Sequence, residues 1–174
     1  MAEIAFRGIS YKLLGDLPII GAEVPDFSLL SGRASDQDVL DKAWMLEQNK
    51  PSLFSVVTSV DTPVGSLQAK VFQKRISDSV LRDRVNGVLV TSDLPFSIAK
   101  FCRSEDIDDL AGGSDYLHRS FGRNWGVQVE TYELLARAVF VVDKGGVLRY
   151  SEIVPEVTSE PDYQSALDVL FELV

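Results

Sequence analysis

One short stretch has the makings of a reactive site. In VTSVDTPVGSLQAKVF, residues 57–72, Thr62 and Pro63 stand where a helix begins, and Gly65 falls in its first turn. A threonine hydroxyl caps such a start, and the exposed amides there make it the most polarised point of the helix. Glycine at that point weakens the helix by roughly 1 kcal/mol relative to alanine and brings no side chain to do chemistry. The other reactive side chains are few. Cys102 is the one cysteine, so no disulfide forms within the chain. His118 is the one histidine, which excludes a multi-histidine metal site, and no Cys/His cluster exists. Neither a metal nor a cofactor is expected. His118, in DYLHRSF, reads as a surface helix residue, and Ser66 has no histidine nearby in sequence to activate it.

The elements that position these residues follow from the apolar pattern. IAFRGISYKLLG reads as an N-terminal β-hairpin about Gly8, and GAEVPDFSLLS as an extended segment. SDQDVLDKAWML reads as a short helix capped by Ser35 or Asp36. PSLFSVVTS is a buried strand. Val64, Leu67, Val71, Phe72 and Ile76 mark an amphipathic helix over 63–79. NGVLVTSDLPF and FSIAKFCRSED give a second strand and helix, and GGSDYLHRSFGRNWG a weaker third pass. RAVFVVDKGGVLRYSEIV is a hairpin. A helix over 161–172 closes the chain, capped by Ser159 or Glu160 with Pro161 in its first turn. The pattern predicts one domain over residues 1–174: an α/β sandwich with a mixed central β-sheet flanked by helices.

Composition narrows the function classes. With 17 Lys+Arg against 26 Asp+Glu, the net charge of −9 opposes nucleic acid and anionic membranes. No apolar run reaches the 18 residues a membrane span needs. MAEIAFRGIS shows no signal-peptide pattern, so a cytoplasmic location is the default.

SVDTPVGSLQAKVF, SDLPFSIAKFC, LLARAVFVVDKGG and YSEIVPEVTSEPDY occur in an order and at spacings that resemble the bacterial thiol peroxidases, over roughly residues 3–172. These are a subgroup of the peroxiredoxins with a thioredoxin-like fold, antioxidant oxidoreductases that reduce hydrogen peroxide and alkyl hydroperoxides with electrons from thioredoxin. The resemblance implies a site. Thr62 matches the threonine of the family's T-x-x-C motif, Arg137 the active-site arginine, and Cys102 the resolving cysteine. Gly65 occupies the place of the peroxidatic cysteine, and Thr58 that of a proline that shields it. The resemblance also implies a homodimer, with thioredoxin as a candidate partner.

Three readings follow. The chain is a pseudoenzyme of this family with a binding or regulatory role. Alternatively, it is a working thioredoxin-dependent peroxidase whose cysteine has been exchanged in this particular sequence. A third reading keeps a redox role through Cys102 alone, by sulfenic acid or an intermolecular disulfide. Without a side chain at residue 65, the amides of residues 64–66 are also expected to hold a small anion near Arg137.

Overall fold

The computed structural model describes residues 2–32 and 38–174. Strands β1 (Glu3–Phe6) and β2 (Ile9–Leu14) form a hairpin whose register pairs Phe6 with Ile9. The two residues between them, Arg7 and Gly8, both have positive φ, at 50° and 80°, as a tight primed turn requires. The short strand β8 (Gln128–Val129) adds to β2 to complete a three-stranded sheet.

The main sheet has seven strands in the order β10-β9-β5-β6-β7-β3-β4. Its centre is parallel: β5 (Ser52–Val56), β6 (Asn86–Thr91) and β7 (Leu110–Ser114). Around these pair antiparallel β9 (Ala138–Val142) and β10 (Leu148–Ile153) on one side, β3 (Ser28–Ser31) and β4 (Val39–Asp41) on the other. Helices α2 (Pro63–Ser77) and α3 (Pro95–Ser104) are the crossovers between the parallel strands. Helix α1 (Lys42–Glu47) follows β4, α4 (Ser120–Asn124) follows β7, and α5 (Tyr163–Leu173) closes the chain. This is the mixed-sheet α/β sandwich that the sequence predicts.

Continuous apolar strands bury both faces. In β9, Ala138, Phe140 and Val142 enter one core with Phe27, Phe54, Phe121 and Trp125. Val139 and Val141 enter the other, against Phe72 and Ile76 of α2 and Leu167 and Leu170 of α5. Phe121 and Trp125 stack with centroids 4.5 Å apart and are fully buried. They are core residues.

Other expectations shift by local causes. Asp41 caps α1 by accepting from the Trp44 amide; Ser35 and Asp36 lie outside the described residues. Asp162, instead of Ser159 or Glu160, caps α5 through the Ser165 amide, and Pro161 precedes the helix. His118 is exposed in the turn between β7 and α4, not on a helix. Helix α2 buries Gly65, Gln68, Ala69, Phe72, Gln73 and Ile76, while Leu67 is 40% exposed. Phe72 and Ile76 of the expected stripe face inward, but Gln68 and Gln73 share that face and make hydrogen bonds there. Among the described residues no helix is long and apolar enough to cross a membrane.

Candidate active site at the start of helix α2

The parallel strands β5 and β6 end at one edge of the sheet, and the loops leaving them meet there. Asp93, just past β6, fastens the loop after β5: its carboxylate accepts from the Ser59 hydroxyl at 2.9 Å and the Val60 amide at 2.8 Å. The Thr91 hydroxyl holds the same carboxylate at 2.9 Å. Loop 59–62 is therefore fixed before α2 begins. The sequence barely signals this role, because the loop that Asp93 fastens lies more than thirty residues away; only the SD pair after a buried strand hints at a loop anchor.

Thr62 caps α2 as expected. Its hydroxyl accepts from the Gly65 amide at 3.2 Å and donates to the Ser59 carbonyl at 2.7 Å. The Thr62 carbonyl takes the Ser66 amide at 3.0 Å. Gly65 is buried, and the space beside its Cα is filled. A Cβ placed there would lie 2.6 Å from Thr62 Oγ1 and 3.1 Å from the Ser59 carbonyl carbon, and closer still to the Ser59 oxygen. These contacts weigh against the expected small anion. The amides of residues 65 and 66 are already engaged, and a carbonyl oxygen, itself partly negative, faces the helix start.

Arg137 sits just before β9, whose first residue, Ala138, pairs with Val56 at the end of β5. The arginine is 1% exposed. Its Nε donates to the Val157 carbonyl at 2.9 Å and its Nη1 to Gln68 Oε1 at 3.0 Å. Gln68, one turn along α2 from Gly65, spends its amide hydrogens on Ser55 Oγ at 3.0 Å and the Val56 carbonyl at 3.3 Å. Gln68 thus ties the arginine to the helix and the sheet. Burial pushes the guanidinium below its ordinary value, opposed by Tyr163 and Glu160. No carboxylate among the described residues forms an ion pair with it, so neither a salt bridge nor a surface position accounts for it.

Thr58, where the resembling family has proline, carries a buried hydroxyl with no hydrogen-bond partner. Cys102 lies on α3, about two turns from the helix's start at the site edge, half-buried against the core beneath α2 and α5. Burial pushes its thiol up to about 11. At neutral pH almost none of it is thiolate, the form that attacks peroxides and disulfides. The site therefore brings together Thr62, Gly65, Gln68 and Arg137, and the chain's one thiol is poorly activated.

Residues 20–167 match the Redoxin family. Over 174 residues the chain is 34% identical to the thiol peroxidase of Bacillus subtilis (strain 168), covering 100% of this chain and 99% of that protein. It is 38% identical over 170 residues to the thiol peroxidase of Staphylococcus saprophyticus, with 97% of each covered. A solved peroxiredoxin-like protein from Aquifex aeolicus has a TM-score of 0.86 at 28% identity, covering 99% of this chain and 97% of that one. A thiol peroxidase from Chromobacterium violaceum has the same fold, with a TM-score of 0.82 at 22% identity over 98% and 95% of the two chains. With matches that run nearly end to end in both sequence and fold, the chain belongs to the Redoxin family, within the bacterial thiol peroxidase branch of the thioredoxin-like peroxiredoxins.

Proposed function

We propose that this chain is a non-catalytic thiol peroxidase homologue, a single domain that keeps the family's site architecture for binding or regulation and does not reduce peroxides. The observation that carries this reading is Gly65. At the place where the resemblance puts the peroxidatic sulfur there is no side chain, and the Ser59 carbonyl stands where one would begin. Peroxide reduction by this family requires a thiolate to attack one oxygen while the other departs. Thr62 and Arg137 would flank that sulfur but do not replace it. With one cysteine in the chain, no intramolecular disulfide forms for thioredoxin to reduce.

The test is NADPH consumption by the purified chain with hydrogen peroxide or an alkyl hydroperoxide, thioredoxin and thioredoxin reductase. The expected rate equals that without the chain. Turnover comparable to the Bacillus subtilis thiol peroxidase overturns the proposal. If such turnover vanishes in Cys102→Ser, the chain instead works through its one thiol. The coding sequence at residue 65 decides whether glycine is the natural residue or an exchange in this particular chain.

A homodimer fits the distribution of apolar surface. Leu94 and Phe96 at the start of α3, Tyr116 and Leu117 after β7, and Leu134 before β9 are all exposed at the site edge of the sheet. Pairing two copies through this edge would remove them from water, and sedimentation should give twice the 19.2 kDa chain mass. Thioredoxin enters as a non-covalent partner, tested by co-sedimentation, and the free thiol suits a reducing cytoplasm.

A further inference from the structure

Five tyrosines occur in the chain, and two of them form a pair that the site does not use. Tyr11 lies on β2 and Tyr132 in the loop between β8 and β9, 121 positions apart. Their ring centroids are 5.2 Å apart with the planes inclined by 58°, and their hydroxyl oxygens are 3.3 Å apart, sharing one hydrogen bond. The oxygens are closer together than the centroids, so the rings converge toward their hydroxyl ends. The carbons ortho to the hydroxyls therefore lie in the narrow part of the wedge. Tyr132 is 56% exposed and Tyr11 is half-buried at the surface, so a diffusing oxidant reaches the pair. The remaining tyrosines lack this arrangement. Tyr150 and Tyr163 donate their hydroxyls to Glu152 and Glu160, and Tyr116 makes no ring contact among the described residues.

We propose that Tyr11 and Tyr132 are an intramolecular dityrosine site, joined under one-electron oxidation by a carbon–carbon bond between their ortho carbons. Each phenol gives up one electron and one proton, leaving a phenoxyl radical whose unpaired electron is shared with the ortho carbons. The two radicals couple, and each ring regains aromaticity as its ortho hydrogen moves to its oxygen. The pair loses two electrons and two protons in all. Hydrogen peroxide, acting through a haem peroxidase, accepts both and leaves as two waters. The neighbouring Tyr132 hydroxyl raises Tyr11 above its ordinary phenol value, so Tyr11 enters as the neutral phenol. The half-buried Cys102 thiol offers the oxidant little thiolate to compete with. The bond would tie the N-terminal hairpin to the segment that leads into Arg137, and this inference is independent of whether the chain reduces peroxides.

The experiment treats the full chain with a haem peroxidase and limiting hydrogen peroxide, with free tyrosine as a positive control in a parallel tube. The expected product is monomer-sized, two hydrogens lighter, fluorescent as dityrosine, and joined between the Tyr11 and Tyr132 peptides on mass spectrometry. Tyr11→Phe and Tyr132→Phe should each reduce the signal to that of the oxidant-free sample, while Tyr116→Phe leaves it unchanged. Coupling that survives either substitution, that joins only separate chains, or that fails while free tyrosine couples overturns the proposal.

Discussion

Replacing Gly65 by alanine sets two effects of opposite sign against each other. Helix propensity favours the change by roughly 1 kcal/mol in a helix interior, and a stiffer unfolded chain adds to the gain. Packing opposes it. The new Cβ would overlap the Ser59 carbonyl and crowd Thr62 Oγ1, and forcing atoms into a packed site typically costs about 1–3 kcal/mol. Relief requires the Ser59 carbonyl to swing away. That movement gives up the hydrogen bonds it accepts from the Thr62 hydroxyl at 2.7 Å and the Thr62 amide at 3.3 Å, each contributing about 1 kcal/mol net. The Asp93 anchors on Ser59 and Val60 resist the same movement. The balance predicts a loss of about 2 kcal/mol, or a melting temperature lower by about 6 °C for a chain of this size. Urea unfolding of Gly65→Ala beside the parent measures it. In an Asp93→Ala background the loop is released and the penalty should shrink, which a double-mutant cycle reads directly. If Gly65→Ala is as stable as the parent or more so, the loop is not closed against residue 65 and the reasoning fails.

Asp115 is buried and accepts from the Phe121 and Gly122 amides at 3.0 and 2.8 Å, and desolvation still pushes its carboxyl up to about 6. A carboxyl raised in the fold binds its proton more tightly there than in the unfolded chain, so this group's contribution to stability falls as pH rises from the ordinary carboxylate range through 6. The loss reaches about 3 kcal/mol above that range; Asp115→Asn should flatten this part of the urea-unfolding profile, and an unchanged slope counts against the assignment. Cys102 should alkylate at neutral pH on the order of 100-fold more slowly than a free cysteine, followed by intact mass, and should match it once the chain is unfolded in urea; rapid labelling of the folded chain would revive a redox role. Thr58→Val removes a buried hydroxyl that lacks a partner, so stability should rise by about 1 kcal/mol; a loss would mean that the hydroxyl is satisfied.

The strands are the most legible part of the fold, because SLFSV, NGVLVT and AVFVV are short, mostly apolar, β-branched runs of the kind that a sheet covered on both faces accepts. The cap at Thr62 was equally plain. The inward face of α2 was not, since Gln68 and Gln73 point into the protein. Gln68 bonds Arg137 and Ser55, and Gln73 holds both Asp108 and Asp109 through its side-chain amide. A reading built on hydrophobicity assigns glutamines to water, so it finds Phe72 and Ile76 but places Leu67 on the inward face in place of Gln68 and Gln73. At the C-terminal helix, SEPD offers three oxygen-bearing side chains around a proline, and which of them reaches the amides depends on backbone direction rather than residue type. The match of Arg137 to the family's site arginine came from the resemblance. Its partners are a backbone carbonyl and a glutamine from distant segments, which no local pattern displays.

Gly65 carries two meanings that the sequence alone runs together. Loss of a nucleophile requires only that the sulfur be gone, and serine or alanine would achieve it while keeping the β carbon. Here the β carbon's place is occupied by main chain, and that main chain is held from two directions, by Thr62 and Asp93. A loop so fixed turns glycine from a permitted residue into a favoured one. Restoring a cysteine at residue 65 alone would add the same β carbon and meet the same carbonyl. On the proposed reading, a peroxidatic geometry would need a change in loop 58–62 or its Asp93 anchor as well as in residue 65. Thr58, which departs from the family pattern in that very loop and leaves its hydroxyl unpaired, is where the second change would begin.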